Sequence, residues 1–333
     1  MRAAILHSQA PITDNPLRLE DVSQPNPGMD ELLIRVDACG CCRTDLHVIE
    51  GDLEPRRMPV IPGHQVVGRV TSIGTRVSDF RIGDRAGIAW LRHVDGTCRY
   101  CRGGKENLCP NAAFTGYTAD GGYAEYAIVP QHFAYHLPEE LAAEQLAPLL
   151  CAGIIGYRAL KRSEVKPGGT LGIFGFGNSA HVTIQVALHW GCTVFVATRG
   201  ENHRKLAIEM GAHWVGDAAD RPPEPLDAAV LFAPAGELVP VALQALDRGG
   251  TLSLAGIYMT DIPSMNYERD LFYERTLRSV TANTRQDGKE LLELASEIPI
   301  RSRVTTFALD QVNSALQELK ADRIDGAAVV TMK

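Results

Sequence analysis

The sequence predicts an α/β protein of two domains, one β-rich and one built as a doubly wound parallel sheet. Three observations predict it. Residues 1 to about 135 carry short alternating runs punctuated by Gly and Pro, the pattern of half-buried strands and turns. From about Lys166 the texture changes to strand alternating with helix, which implies a parallel sheet. At 333 residues the chain is also too long for most single cores.

Charged residues at 22% and hydrophobic residues at 45% describe an ordinary globular composition, and the net charge of -7 argues against a nucleic-acid partner. The amino-terminal MRAAILHSQA has too short an apolar run for a signal peptide or a membrane span. A cytoplasmic protein is therefore expected. In a reducing compartment its eight cysteines do not serve as structural disulfides, and those that cluster read as metal ligands.

Strands are expected at Arg2–Leu6 and Leu32–Val36. The second runs into CGCCRTDLH (Cys39 to His47), where nine residues hold three thiols, an arginine, a hydroxyl, a carboxylate and an imidazole. Such a cluster just past a strand end reads either as a transition-metal site, zinc first, or as buried thiols with solvated neighbours. IPGHQVVGRV places a turn at Pro62 and Gly63 and then His64 at the entrance of a strand over Gln65–Ile73, a rigid mount for a ligand.

VDGTCRYCRGGKENLCP holds Asp95, Cys98, Cys101 and Cys109 in a D-x2-C-x2-C-x7-C series. Three thiolates and a carboxylate would close a tetrahedral structural zinc site, with Asp95 bound directly or through water. A strand is expected at Tyr123–Val129, and the pattern turns helical over Glu139 to Ala147. The next stretch, Ala147 to Arg162, reads as an apolar helix with a basic end. It contains Cys151, which is either a core thiol or the partner that Cys42 and His64 need.

The strand Leu171–Phe174 is followed by GFGNSA and a helix. Gly175, Gly177 and Ala180 form G-x-G-x-x-A, with Asn178 between them. Gly175 permits the tight turn, Gly177 lets amides approach a pyrophosphate, and Ala180 allows close helix–strand packing. The next strand, Thr193–Ala197, ends at Thr198 and Arg199 without the acidic residue that would hold a ribose 2′-hydroxyl. Thr198, Arg199, His203 and Arg204 suit a 2′-phosphate instead; His203 and Arg204 also fit a solvated basic loop. Further strands are expected at Ala228–Phe232 and Thr251–Ala255, helices at Lys289–Glu297 and Asp310–Lys320, and a final strand at Ala327–Met332. There is no internal repeat or low-complexity region. The short RPPEPLD (Arg221 to Asp227) lies inside the nucleotide domain.

In this order and spacing the motifs resemble the zinc-dependent medium-chain alcohol dehydrogenases, closest to the bacterial branch near the cinnamyl-alcohol-type enzymes. GCCRTDLH, the GH of IPGHQ, the cysteine-rich lobe, DGGYAEY (Asp120 to Tyr126), LLCAG and GFGNSA carry the resemblance, which spans essentially the whole chain. It implies a GroES-like β-barrel catalytic domain over residues 1–153 and 284–333, with a Rossmann NAD(P)-binding domain at 154–283 inserted in it. Zinc and nicotinamide would lie in the cleft between them.

The resemblance implies that Cys42, His64 and Cys151 bind the catalytic zinc and leave a fourth position open. Thr44 would take the alcohol proton and pass it, through the nicotinamide ribose, to His47 at the surface. Asp45 would hold His64 from behind, and Arg43 lies where the family contacts the cofactor pyrophosphate. Trp90 either lines the substrate pocket or packs as a core aromatic. Two departures stand out: Gln65 replaces the glutamate that many relatives carry after the ligand histidine, and Ala327 stands where many place a pyrophosphate-binding arginine.

The expected activity is reversible oxidation of primary or secondary alcohols to aldehydes or ketones. It would use two zinc ions per chain and NADP(H) in preference to NAD(H), in a homodimer or homotetramer with no membrane partner. Two other readings compete: a zinc-free quinone or enoyl reductase on the same fold, and a redox-sensing nucleotide-binding protein without turnover. The three ligands at Cys42, His64 and Cys151 argue against the first, and the relay at Thr44 and His47 against the second.

Overall fold

The run ELLIRVDACGC is β-branched and apolar on alternate positions, and in the computed structural model it forms an eleven-residue strand, Glu31–Cys41, that organises the first of two units. The model describes residues 1–298, 300–324 and 326–332. Positions 299, 325 and 333 of the expected carboxyl-terminal segment lie outside the described residues. One unit comprises Met1–Cys151 with Ala282–Lys333, the other Ala152–Thr281.

In chain order the first unit begins with β1 (Arg2–Leu6), β2 (Leu17–Asp21), β3 (Glu31–Cys41), α1 (Arg43–Glu50), β4 (Gln65–Ile73), β5 (Arg85–Ile88), β6 (Leu91–His93), α2 (Arg99–Arg102), β7 (Ala113–Phe114), β8 (Tyr126–Pro130), β9 (Ala134–His136) and α3 (Ala143–Leu146). The second unit holds α4 (Ala152–Ser163), β10 (Thr170–Phe174), α5 (Asn178–His189), β11 (Thr193–Ala197), α6 (Glu201–Glu209), β12 (Trp214–Gly216), β13 (Leu226–Leu231), α7 (Leu238–Ala245), β14 (Leu246–Leu254), α8 (Tyr267–Asp270) and β15 (Thr276–Ser279). The chain then returns to the first unit with α9 (Arg285–Glu297), β16 (Val304–Ala308), α10 (Val312–Lys320) and β17 (Ala327–Thr331).

Among the described residues the main sheet of the first unit runs β16-β17-β3-β4-β5-β9, with β8 also on β3. β3 is shared along its length. Glu31–Arg35 pairs with β8, Ala38–Cys41 pairs with β17, and β4 covers its other edge through irregularities at Leu33/Ile34 and Val36/Ala38. These bulges twist the strand so that its end, carrying Cys39 and Cys41, leaves one partner for the next. The core beneath gathers Leu32, Ile34, Val66, Ile88, Val129 and Val330.

The second unit is a parallel sheet ordered β12-β11-β10-β13-β14-β15. Chain order reverses direction between β10 and β13, the switch point at which such sheets bind ligands beyond the carboxyl ends of their strands. α4 lies close to α5 because Gly156 has no side chain: a Cβ there would come within 2.5 Å of Thr183 Oγ1.

The expected helix over Ala147 to Arg162 is interrupted. Ala147–Leu150 forms a 3₁₀ turn with Pro148 in its first positions, Cys151 follows at φ -136°, ψ -71°, and α4 starts only at Ala152. Proline has no amide to continue the ladder, so the helix restarts beyond the thiol. Cys151 thus sits at a break between the 3₁₀ turn and α4, its amide donating to the Pro148 carbonyl at 3.4 Å.

Glu106 and Arg285 tie the cysteine-rich lobe to the returning segment. Arg285 donates to Glu106 from its backbone amide (2.8 Å), Nε (2.9 Å) and Nη2 (2.6 Å), and its guanidinium lies 4.7 Å over the Phe133 ring. Glu106→Ala leaves these donors without their acceptor, and we expect it to lower unfolding free energy by about 1–3 kcal/mol, read as a shift in the urea midpoint.

Candidate active site

Cys42 ends the β3 turn and caps α1. Its Sγ accepts from the Thr44 amide at 3.3 Å while its own amide donates to Asp45 Oδ2 at 2.9 Å, a capping box with a thiol in the place of a hydroxyl. The Pro62–Gly63 turn delivers His64, which is fully buried, so that its Nε2 lies 3.4 Å from Cys42 Sγ. The break before α4 delivers Cys151, its Sγ 4.0 Å from that of Cys42. The three ligand atoms lie within 4.8 Å of one another.

Behind them stands Asp45, itself 2% exposed, whose Oδ1 accepts from His64 Nδ1 at 2.9 Å. That bond fixes the proton on Nδ1 and turns the Nε2 lone pair toward the thiols. Hydrogen bonding with the Cys151 thiol holds Cys42 well below the ordinary thiol range against the effect of burial, with the charge of His64 adding to it. The same contact pushes Cys151 up. Burial pulls His64 down, yet Asp45 and Cys42 outweigh it and raise its imidazole above the ordinary value.

A tetrahedral zinc with bonds of about 2.3 Å to sulfur and 2.0 Å to nitrogen separates its sulfurs by about 3.8 Å and sulfur from nitrogen by about 3.5 Å. The observed spacings of 4.0 and 3.4 Å fit such an ion. The second cluster, Asp95 with Cys98, Cys101 and Cys109, also gathers its ligand atoms within 4.8 Å, and Cys98 and Cys101 stand 3.5 Å apart across α2. Asp95 has other work as well. Its Oδ1 accepts from the Thr97 and Cys98 amides and its Oδ2 from Asn111, bonds that hold the carboxyl well below the usual carboxylate range.

Thr44 is half-buried in the first turn of α1, and His47 stands one turn on with Nδ1 2.7 Å from Asp52. Arg43 is exposed and pairs with Asp322, beyond the end of α10. Gln65 is fully buried at the start of β4 with neither amide atom hydrogen-bonded, its side chain filling the space that a Cβ on Gly40 would need. Trp90 lies edge-on to His64, ring centroids 5.0 Å apart, and stacks with Phe114 at 5.0 Å and Tyr117 at 5.9 Å. Ala327 is 1% exposed within β17.

In the second unit Gly175 adopts φ +87° where a Cβ would meet the Ala233 amide at 2.8 Å, so the turn after β10 requires glycine. Gly177 caps α5 without any side-chain hydrogen bond, and an added Cβ there would meet nothing within 4 Å. Open space before a twelve-residue helix whose first amides lack a side-chain cap suits a pyrophosphate. Asn178 opens that helix with a buried Oδ1 that has no hydrogen-bond partner among the described residues, and Ala180 is fully buried. Thr198 is buried at the end of β11, and its carbonyl accepts from Arg204 Nε at 3.1 Å. Arg204 also pairs with Asp217 at 3.0 Å, whereas Arg199 is exposed: its carbonyl accepts from Thr198 Oγ1 at 3.4 Å, but its guanidinium makes no hydrogen bond or ion pair among the described residues. His203 is half-buried.

Residue-by-residue reading of the sequence missed two contributors. Tyr123 is fully buried and donates its hydroxyl to Asp45 Oδ2 at 3.1 Å. Asp322, the partner of Arg43, lies 279 residues away along the chain. The first tyrosine of DGGYAEY, Tyr123, was the local signal for the first, and nothing local pointed to the second.

Two family models match: an alcohol dehydrogenase GroES-like domain over residues 28–139 and a zinc-binding dehydrogenase domain over residues 180–297. A probable alcohol dehydrogenase of Mycobacterium tuberculosis is 54% identical over 335 residues, covering 99% of this chain and 97% of that protein. An alcohol dehydrogenase of Geobacillus stearothermophilus is 34% identical over 327 residues, covering 95% and 96%. Among solved structures, a cinnamyl alcohol dehydrogenase of Sorghum bicolor has a TM-score of 0.89 at 27% identity, covering 98% of this chain and 97% of that one. A cobalt- and zinc-bound thermostable alcohol dehydrogenase of Pyrobaculum aerophilum has a TM-score of 0.90 at 25% identity, covering 99% of each.

Gly63 permits the approach of His64. It has φ +91°, and a Cβ there would lie 2.7 Å from Tyr123 Cδ1 and 2.9 Å from Cys39 Sγ. Gly63→Ala should therefore destabilise the protein by about 1–3 kcal/mol and depress turnover beyond what the stability loss explains, as measured by urea unfolding beside initial rates.

Proposed function

The chain belongs to the zinc-binding alcohol dehydrogenases, and from that premise we propose that it holds a catalytic zinc through Cys42, His64 and Cys151, a structural zinc through Asp95, Cys98, Cys101 and Cys109, and favours NADP(H). Its activity is that of an alcohol dehydrogenase with a nicotinamide cofactor. The substrates proposed are primary or secondary alcohols, converted reversibly to aldehydes or ketones. The observation that carries the reading is the convergence of two thiols and one imidazole nitrogen at zinc-like spacings, with the other imidazole nitrogen held by Asp45.

Bound by Cys42, His64 and Cys151, zinc would make a substrate hydroxyl a stronger acid, and a bound nicotinamide would supply the hydride acceptor. The protein's own residues do the rest. Asp45 keeps His64 in the tautomer whose Nε2 can donate electrons. Thr44 accepts the hydroxyl proton of the substrate, and His47, one helical turn on, delivers a proton to solvent beside Asp52. Trp90, with Phe114 and Tyr117 stacked behind it, supplies an aromatic wall next to His64 for the substrate's carbon skeleton. Gly175 and Gly177 admit the pyrophosphate to the α5 amides.

Different ligand sets give the two metals different roles. Cys151→Ala should abolish turnover with the fold retained, while Cys101→Ala should chiefly lower stability, since structural zinc contributes directly to folding. Elemental analysis of protein purified without chelators should return two zinc ions per chain; none at all would defeat the assignment.

NADP(H) preference rests on Thr198 and Arg199. A carboxylate at position 198 would repel a 2′-phosphate, and its absence removes that discrimination. Arg204 is engaged by the Thr198 carbonyl and Asp217, which leaves Arg199 as the uncommitted guanidinium. A charge-assisted bond to phosphate contributes about 1.5–3 kcal/mol, or tenfold and more in selectivity. Catalytic efficiency with NADP(H) should exceed that with NAD(H) about tenfold. Thr198→Asp should reverse the preference and Arg199→Ala should erase it; unchanged selectivity in the Arg199 variant would refute the role of that loop.

A further inference from the structure

We infer that Tyr123 is a positioning residue of the metal centre, acting through Asp45 on the electron-donating strength of His64. The inference rests on the proposal that Cys42, His64 and Cys151 hold the catalytic zinc. Asp45 divides its oxygens: Oδ1 accepts from His64 Nδ1 at 2.9 Å, while Oδ2 accepts from the Cys42 amide at 2.9 Å and the Tyr123 hydroxyl at 3.1 Å. All three side chains (Asp45, His64 and Tyr123) are 2% exposed or less, so water does not compete for these bonds.

Tyr123 is held in place independently of its hydroxyl. Its amide donates to the Pro62 carbonyl at 3.0 Å, its carbonyl accepts from Ala4 at 2.8 Å, and its ring packs where a Cβ on Gly63 would fall. Packing alone would be served equally by phenylalanine, without the need to desolvate a hydroxyl. The hydroxyl instead shares the negative charge of Asp45. A carboxylate that gives density to one donor pulls less on another, so the Tyr123 bond weakens the pull of Asp45 on the His64 N–H. Less charge then reaches Nε2, the metal stays more electrophilic, and the substrate hydroxyl ionises at lower pH.

Tyr123→Phe removes the oxygen and keeps the ring. In the zinc holoenzyme it should move the rising limb of the pH profile of kcat/KM for alcohol oxidation upward by about 0.3–1 pH unit, a two- to tenfold loss on that limb. Site-specific 3,5-difluorotyrosine at position 123, a stronger donor of nearly the same shape, should move the limb downward and covers the case in which the phenylalanine variant folds poorly. In cobalt-substituted protein the d–d absorption bands should shift in both forms. In an Asp45→Asn background, Tyr123→Phe should give no further shift of those bands. Profiles and spectra that superimpose on the parent, or a loss of thermal stability with the limb unmoved, would overturn the role and reduce Tyr123 to packing. Parent protein that retains no zinc would overturn the metal assignment itself, and this inference with it.

Discussion

The buried carboxylate of Asp45 is the constraint around which the candidate site of the first unit is arranged. A charge at 2% exposure is expensive unless it is surrounded by donors, and removal of any partner leaves the rest uncompensated. Its donors come from three separate places: the α1 cap, the turn entering β4, and the loop before β8. Those same three segments carry Cys42, His64 and Tyr123. Satisfying one buried charge therefore fixes the relative positions of two candidate ligands, which lie 22 residues apart in sequence. Cys151 arrives differently, at a backbone break that Pro148 imposes. Its placement depends on chain geometry where that of the other two depends on electrostatics.

α1 carries this arrangement outward. Its amino end holds Cys42, Arg43 and Thr44; its carboxyl end is held by Lys320, which meets both oxygens of Glu50 at 2.8 Å, while Glu50 also accepts from the Ile12 amide. Arg43 and Asp322 tie the other end to the turn that follows α10. Both ion pairs are substantially exposed on at least one side and each is worth ~0–1 kcal/mol at most. Their effect is on register: they hold a helix of eight residues, too short to be stable alone, at a fixed angle to the returning segment.

Local pattern made much of this legible. The strands Arg2–Leu6, Gln65–Ile73 and Thr193–Ala197 were readable to the residue because each is a short run of mainly apolar and β-branched residues that the fold buries as a strand. The strand–turn–helix around Gly175 was readable because steric necessity leaves only glycine there. The ligand clusters were readable because thiol spacing within a lobe is a local property, although joining Cys151 to Cys42 and His64 needed the family resemblance. What remained hidden was long-range and non-periodic. The Glu106–Arg285 clamp spans 179 residues, and the Asp45–Tyr123 bond 78. The apolar run through Cys151 suggested a continuous helix because periodicity does not register one proline followed by an irregular residue. Tyr123 was expected inside a strand, but β8 begins three residues later and Tyr123 bonds across to Pro62 and Ala4 instead.

The same logic explains why an aspartate can stand where a fourth thiol is more usual in the cysteine-rich lobe. A thiolate at position 95 would be a soft ligand but a weak acceptor. The carboxylate accepts from the Thr97 and Cys98 amides at 2.9 Å, which closes the turn that starts α2 and presents Cys98 at its cap. A second oxygen takes Asn111, just past Cys109, and so draws the far end of the lobe toward its beginning. Both ends of the stretch from Cys98 to Asn111 are thereby gathered by one side chain before any metal is considered. A lobe organised in this way would meet the proposed ion with less chain entropy left to remove, which is the general advantage of a preorganised site.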